Sequence, residues 1–293
     1  MDKIIPFLER LTAVLERIEP LLPPSPKSCD FSKHSAFRWV RSHLGPYGYL
    51  EGIDNPTQID FAAIRCSERQ IGIIKANTLQ FLEGYPANNV LLTGSKGTGK
   101  SSLVKACLTE YQDRGLKLIE IDSDDLPALP SLFKQIENQP YKFIIFCDDL
   151  SFEDNDPSYK SLKAILDGSL ISPSHNVLIY ATSNRRHLLP EYMHDNAKGD
   201  EIHTVEAIEE KISLSERFGL WLSFYPFSQK EYLEIVQSWL TRYAPDFDYD
   251  EEVKRKALQF SLQRGSRSGR VAEQFVRNHI GEKKLESMLK KDQ

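Results

Sequence analysis

The chain has 293 residues, of which 40% are hydrophobic and 27% charged, enough for one large domain or two modest ones around a packed core. Its net charge of -5 argues against a broad basic surface for sequence-independent coating of DNA, though not against a local basic patch. The four cysteines, Cys29, Cys66, Cys107 and Cys147, have no paired spacing for zinc or redox chemistry and fit a reducing cytoplasm.

Residues 3–19 place Ile4, Phe7, Leu8, Leu11, Val14, Leu15 and Ile18 at helical spacing, which predicts an amphipathic helix. Glu9, Arg10, Glu16 and Arg17 interrupt the apolar face, so neither a signal peptide nor a membrane span is expected. The stripe packs on the protein's own body or receives a partner. Four prolines between residues 20 and 26 then mark a linker or extended arm. The stretch "FRWVRSHLGPYGYLEGI" reads as a short aromatic helix and a turn. A further helix is expected from about Ser67 to Phe81, stopped by Gly84.

From Asn89 the pattern alternates strand and helix, as in a parallel α/β sheet. The expected strands are "NNVLLT", "LKLIEID", "KFIIFCD", "NVLIYAT" and "WLSFY", with near-continuous apolar runs that suit burial on both faces. Directly after the first comes "GSKGTGKSS", residues 94–102, which carries the P-loop spacing Gly94-x-x-x-x-Gly99-Lys100-Ser101 between strand and helix. Glycines at 94, 97 and 99 permit backbone angles closed to other residues, so the N–H groups of Ser95, Lys96, Thr98 and Ser102 can turn towards an anion. Lys100 supplies a cation for β- and γ-phosphates, Ser101 a hydroxyl for Mg²⁺, and the following helix aims its positive end at the same place.

"KFIIFCDDL" supplies the acidic strand end that such a loop requires. Asp148 is the expected Mg²⁺ carboxylate, and Asp149 follows it. Asn184, at the tip of "YATSN", is placed to orient an attacking water, although it or Ser183 can also cap the next helix. Arg217 precedes the fifth strand and Arg270 begins the last helix. After Tyr225 the texture is helical: Ser228 and Glu231 form a capping box, Gly265 ends "EEVKRKALQFSLQR", and a last helix begins near Ser268. A GTPase is disfavoured because no Asn/Thr-Lys-x-Asp segment occurs. The seven histidines make no His-Glu-x-x-His spacing for a metal hydrolase. A small-molecule kinase stays open at this point.

Over residues 50 to 285 the chain resembles an AAA+ ATPase, with Walker A, Walker B, sensor 1, arginine finger and sensor 2 in the usual order. "PANNVLLTGSKGTGKSSLVKA", "FIIFCDDLSFE", "SLSERFGLWLSFYPFSQKEYLEIV" and "SGRVAEQFVRNHI" resemble more closely a bacterial AAA+ family carried as a domain of unknown function. "ERFGL" and "GRVAEQFVR" are also similar to the Holliday-junction helicase motor. The resemblance implies a five-stranded parallel sheet flanked by helices and followed by a small helical lid. The domains would be an N-terminal helical extension and linker at 1–48, the α/β domain at 49–226 and the lid at 227–293. It implies Asn184 as sensor 1, Arg217 as a finger acting in a neighbouring subunit, and Arg270 as sensor 2. It also implies binding and hydrolysis of Mg-ATP, a ring or dimer of copies, and a macromolecular client that the motifs do not name. One departure stands out: AAA+ proteins mostly place glutamate where this chain has Asp149, one methylene shorter. Glu153 is the alternative base, if its loop folds back.

Overall fold

The computed structural model describes residues 10, 12–14, 29–41, 48–152, 156–167, 175–185 and 214–289. The chain divides into two compact units, residues 1–30 and 31–293. In the first, Arg10 and residues 12–14 are helical; the rest of the helix expected over 3–19, and the proline-rich linker, lie outside the described residues. So does Glu153.

The second unit is built on a seven-stranded sheet in the order β2-β1-β4-β5-β6-β3-β7. Its five expected strands are β3 (Val90–Gly94), β4 (Leu116–Glu120), β5 (Lys142–Cys147), β6 (Val177–Ser183) and β7 (Leu220–Phe224). Each is parallel to its neighbours. Their apolar runs find cover on both faces. On one, Ile74 and Phe81 of helix α1 (Glu68–Leu82) and Leu103, Val104 and Cys107 of α2 (Lys100–Tyr111) pack on Leu92, Ile144, Phe146 and Tyr180. The alternate residues Leu91, Ile145 and Ile179 are also fully buried, as are Leu132 and Ile136 of α3 (Leu129–Ile136) and Leu162 of α4 (Pro157–Leu166).

The remaining two strands correct the sequence reading. The stretch read as an aromatic helix is a hairpin, β1 (Ala36–Arg41) paired antiparallel with β2 (Gly48–Ile53). β1 also pairs in parallel with β4, so the expected five-stranded parallel sheet is a seven-stranded mixed one. The reason is a period of two: Phe37 and Trp39 are buried while Arg38 between them is exposed, the alternation of a half-buried strand. The sheet thus begins inside the 1–48 stretch expected to be an extension.

Three helices follow β7. α5 (Gln229–Tyr243), α6 (Glu251–Gln263) and α7 (Gly269–Leu289) enclose a second core of Tyr232, Val236, Leu240, Ala257, Phe275 and Val276. Local chemistry sets their starts. Ser228 and Glu231 form the expected capping box on α5, and the Asp250 side chain caps α6. Gly265, at φ 63, turns the chain out of α6, and Ser268 Oγ accepts from Val271 N at the start of α7. Among the described residues no helix is long and apolar enough to cross a membrane.

Candidate functional site

The P-loop leaves β3 at Gly94, whose φ is 130° and where any Cβ would lie 1.8 Å from the Phe224 carbonyl oxygen of β7. Only glycine lets the loop cross the end of that strand. Thr98 Oγ1 donates to Ser95 O at 2.8 Å, closing the turn, and Gly99 O accepts from Leu103 N at 2.8 Å as α2 begins. At Gly97, φ is 73°, and a Cβ would sit 2.8 Å from Ser268 Cβ. The helical part reaches the loop directly here, with Gly269 N donating to Gly97 O at 2.8 Å.

Beneath the loop the polar side chains join one network. Lys100 Nζ donates to Gly94 O at 2.7 Å, to Ser95 O at 2.8 Å and to Asn184 Oδ1 at 3.0 Å. Burial draws the Lys100 pKa below the usual lysine value, and the charges of Asp149 and Asp148 oppose that fall. Ser101 Oγ donates to Asp148 Oδ1 at 2.6 Å, and Thr182 Oγ1 donates to the same oxygen at 2.6 Å. Asp149 has the left-handed φ of 54°, rare without glycine, and its N–H donates to Thr182 Oγ1 at 2.9 Å. Asn184 Nδ2 donates to the Asp149 carboxylate.

This network lines a cleft of about 360 Å³, within the size range of small-molecule sites. Lys96, Gly97, Thr98, Gly99, Lys100, Ser101 and Ser102 line it, together with Asp148, Asp149 and Asn184. Gly94 and Ser95 do not line it, but their carbonyls hold Lys100. Arg270 and Glu273 join the lining from α7, and Ala63, Ile64, Phe227, Ile235 and Trp239 give it an apolar part, with Arg65 also lining the cleft. The arrangement suits an anion at the loop, a divalent cation at Ser101 and Asp148, and a flat apolar group against the aliphatic and aromatic lining. Among the described residues no group of three or more His, Cys, Asp and Glu gathers as a metal centre.

Arg217 stands apart from this assembly. It follows a helical turn at 214–216, lies outside the residues lining the cleft, and its Nε donates to Asp167 at the end of α4. Sequence reasoning also missed several lining residues. Thr182 carries a signal, being a polar residue in a strand otherwise apolar until its end. Ile64, Trp239 and Glu273 carry none, because Ile64 comes to the loop from the segment before α1 and the other two through the packing of α5 and α7.

The architecture recurs in solved AAA+ structures. An Orc1 protein from Aeropyrum pernix, solved in complex with DNA, matches with TM-score 0.53 and 18% identity over 75% of this chain and 61% of that one. A variant of RuvB from Thermotoga maritima matches with TM-score 0.50 and 16% identity, covering 74% of this chain and 63% of the other. The Thermotoga maritima RuvB Holliday junction branch migration motor matches with TM-score 0.48 and 18% identity, over 76% and 64%. This chain therefore spans less than two thirds of the length of each. No curated protein matches it. The model of the family described as "protein of unknown function (DUF815)" matches residues 32–283, most of the chain, and the chain belongs to this family.

Proposed function

We propose that the chain is an AAA+ ATPase that binds Mg-ATP between its α/β part and the α5–α7 lid, hydrolyses it, and passes lid closure to a macromolecular partner. One observation carries this reading: Lys100, Ser101, Asp148, Asp149 and Asn184, joined through Thr182, form a single bonded network by the P-loop, in a cleft that Arg270 also lines. The loop N–H groups and Lys100 hold the phosphates. Ser101 and Asp148 would hold the magnesium ion, which neutralises phosphate charge. Ser101 Oγ already donates to Asp148 Oδ1 at 2.6 Å, so the two groups are neighbours, with Asp148 reaching the ion through water. Asp149 takes the proton of the attacking water and Asn184 orients that water. Arg270 senses the γ-phosphate from the lid, and Arg217 serves a neighbouring copy in a ring or dimer.

The test is phosphate release from purified protein with Mg-ATP, beside the Lys100→Ala variant. Hydrolysis by the parent and none by the variant supports the proposal; equal ATP affinity of the two by calorimetry overturns it.

A second reading, an ATP-binding switch or adaptor with negligible turnover, is favoured by one feature. The acid after Asp148 is the short Asp149, and Asn184 already engages its carboxylate. Tight ATP binding without steady-state phosphate release would establish the switch. The client is a protein or a nucleic acid: the Orc1 match is a DNA complex and RuvB a Holliday junction motor, while the net charge of -5 speaks against broad DNA coating. A cytoplasmic location accords with Cys107 and Cys147, buried as free thiols.

A further inference from the structure

We propose that Thr182 is a positioning residue that sets the relative placement of the two acidic side chains at the end of β5; this rests on the ATPase reading of the same site. Thr182 is 1% exposed, in β6, an interior strand between β5 and β3. A hydroxyl has one proton to give. Because the Asp149 N–H donates to Thr182 Oγ1 at 2.9 Å, the hydroxyl spends its own proton on Asp148 Oδ1 at 2.6 Å. The Thr182 carbonyl accepts from Leu150 N at 2.7 Å. Residues 148, 149 and 150 are thus each tied to this one residue.

The consequences differ for the two acids. Asp148 Oδ1 is fixed between Thr182 and Ser101, the two hydroxyls that donate to it. Asp149 is held at φ 54, a conformation that costs a non-glycine residue free energy and persists only where its surroundings enforce it. That turn delivers its carboxylate to Asn184, two residues beyond Thr182 on the same strand end. Without the hydroxyl, Asp148 loses one of its two orienting donors. The Asp149 N–H loses its acceptor as well, and the turn relaxes away from Asn184. One side chain therefore aligns both the cation carboxylate and the base.

Thr182→Val keeps the branched shape and deletes the hydroxyl. Removing the hydrogen-bond partner of a metal-binding side chain typically costs about 10- to 100-fold in metal affinity or activity. In Thr182→Val, ATP affinity measured by calorimetry without Mg²⁺ should equal the parent's. The Mg²⁺ concentration for half-maximal enhancement of that affinity should rise about 10-fold or more, and kcat at saturating Mg²⁺ should fall with KM little changed. Thr182→Ser, which retains the hydroxyl, should restore the Mg²⁺ dependence. A parent-like Mg²⁺ dependence in Thr182→Val overturns the role. So does a Thr182→Ser variant as impaired as Thr182→Val, since packing of the methyl would then be responsible. If Thr182→Val does not fold by circular dichroism, Thr182→Ala is measured and judged the same way. A parent that binds no ATP overturns the function itself; a parent that binds it, with both hydroxyl-free variants unchanged, overturns Thr182 alone.

Discussion

At the scale of single residues, the site turns on which charges are held by many partners and which by few. Lys100 is only 6% exposed and is held by two loop carbonyls and Asn184, so its position is set before any phosphate is engaged. Lys100→Ala removes the cation and leaves the backbone cradle. ATP binding measured by calorimetry should weaken by at least about 2 kcal/mol, as for other charged hydrogen bonds lost from a site. The neighbouring aspartates should separate by function. Asp148→Asn keeps the shape but loses the charge facing Ser101, and should weaken Mg²⁺-dependent ATP binding. Asp149→Asn should bind ATP almost as the parent does and hydrolyse it about 10²- to 10⁴-fold more slowly, the factor that loss of a general base costs. Parent-like hydrolysis by both variants would place the metal and base elsewhere. The cysteines follow a different logic: burial pushes the Cys107 and Cys147 thiols up to about 12, so neither serves as a nucleophile here.

At the scale of elements, the hairpin and the lid have different parts. β1 extends the sheet beyond β4, and the fully buried Phe37 packs against Phe31 with ring centroids 5.1 Å apart. Phe37→Ala should cost about 3 to 5 kcal/mol in urea denaturation, the range for a large side chain cut from a core. A loss below about 1 kcal/mol would mean that the hairpin is peripheral to the sheet's stability. The lid reaches the loop through one backbone hydrogen bond, Gly269 to Gly97, and the next residue is Arg270. Arg270 therefore sits where loop and lid meet, and its proposed role is to couple nucleotide state to closure. Arg270→Ala should bind ADP like the parent but lose the preference for ATP over ADP. Unchanged relative affinities would mark Arg270 as an ordinary surface charge.

At the scale of the whole molecule, Arg217 decides whether one copy suffices. It lies outside its own cleft and engages Asp167, so its proposed target is a nucleotide held by another copy. Arginine fingers are worth about 10³ to 10⁵ in rate. Arg217→Ala should bind ATP normally and hydrolyse it very poorly, whereas Lys100→Ala keeps the finger and lacks the nucleotide. Mixing the two inactive variants, once shown to co-assemble by light scattering, should restore part of the activity. Co-assembly with no recovered hydrolysis would show that Arg217 does not act across an interface.

Sequence by itself determined the P-loop, the five parallel strands and the caps of α5, because each is written within a few adjacent residues. Glycine at 94, 97 and 99, unbroken apolar runs, and Ser228 with Glu231 are local signals with local causes. The hairpin was legible too, in the alternation of Phe37, Arg38 and Trp39, but its aromatic content also suits an apolar helix face over so short a span. Tertiary structure alone decided what meets at the cleft. Thr182 joins Asp148 and Asp149 only because β5 and β6 pair in register, Cys147 opposite Ala181. Ile64 lies about thirty residues before the loop, whereas Trp239 and Glu273 reach the cleft from α5 and α7, more than 130 residues after it. No residue states its partner when the contact is made by folding over that distance; the sheet register and the docking of α7 on Gly97 supply it.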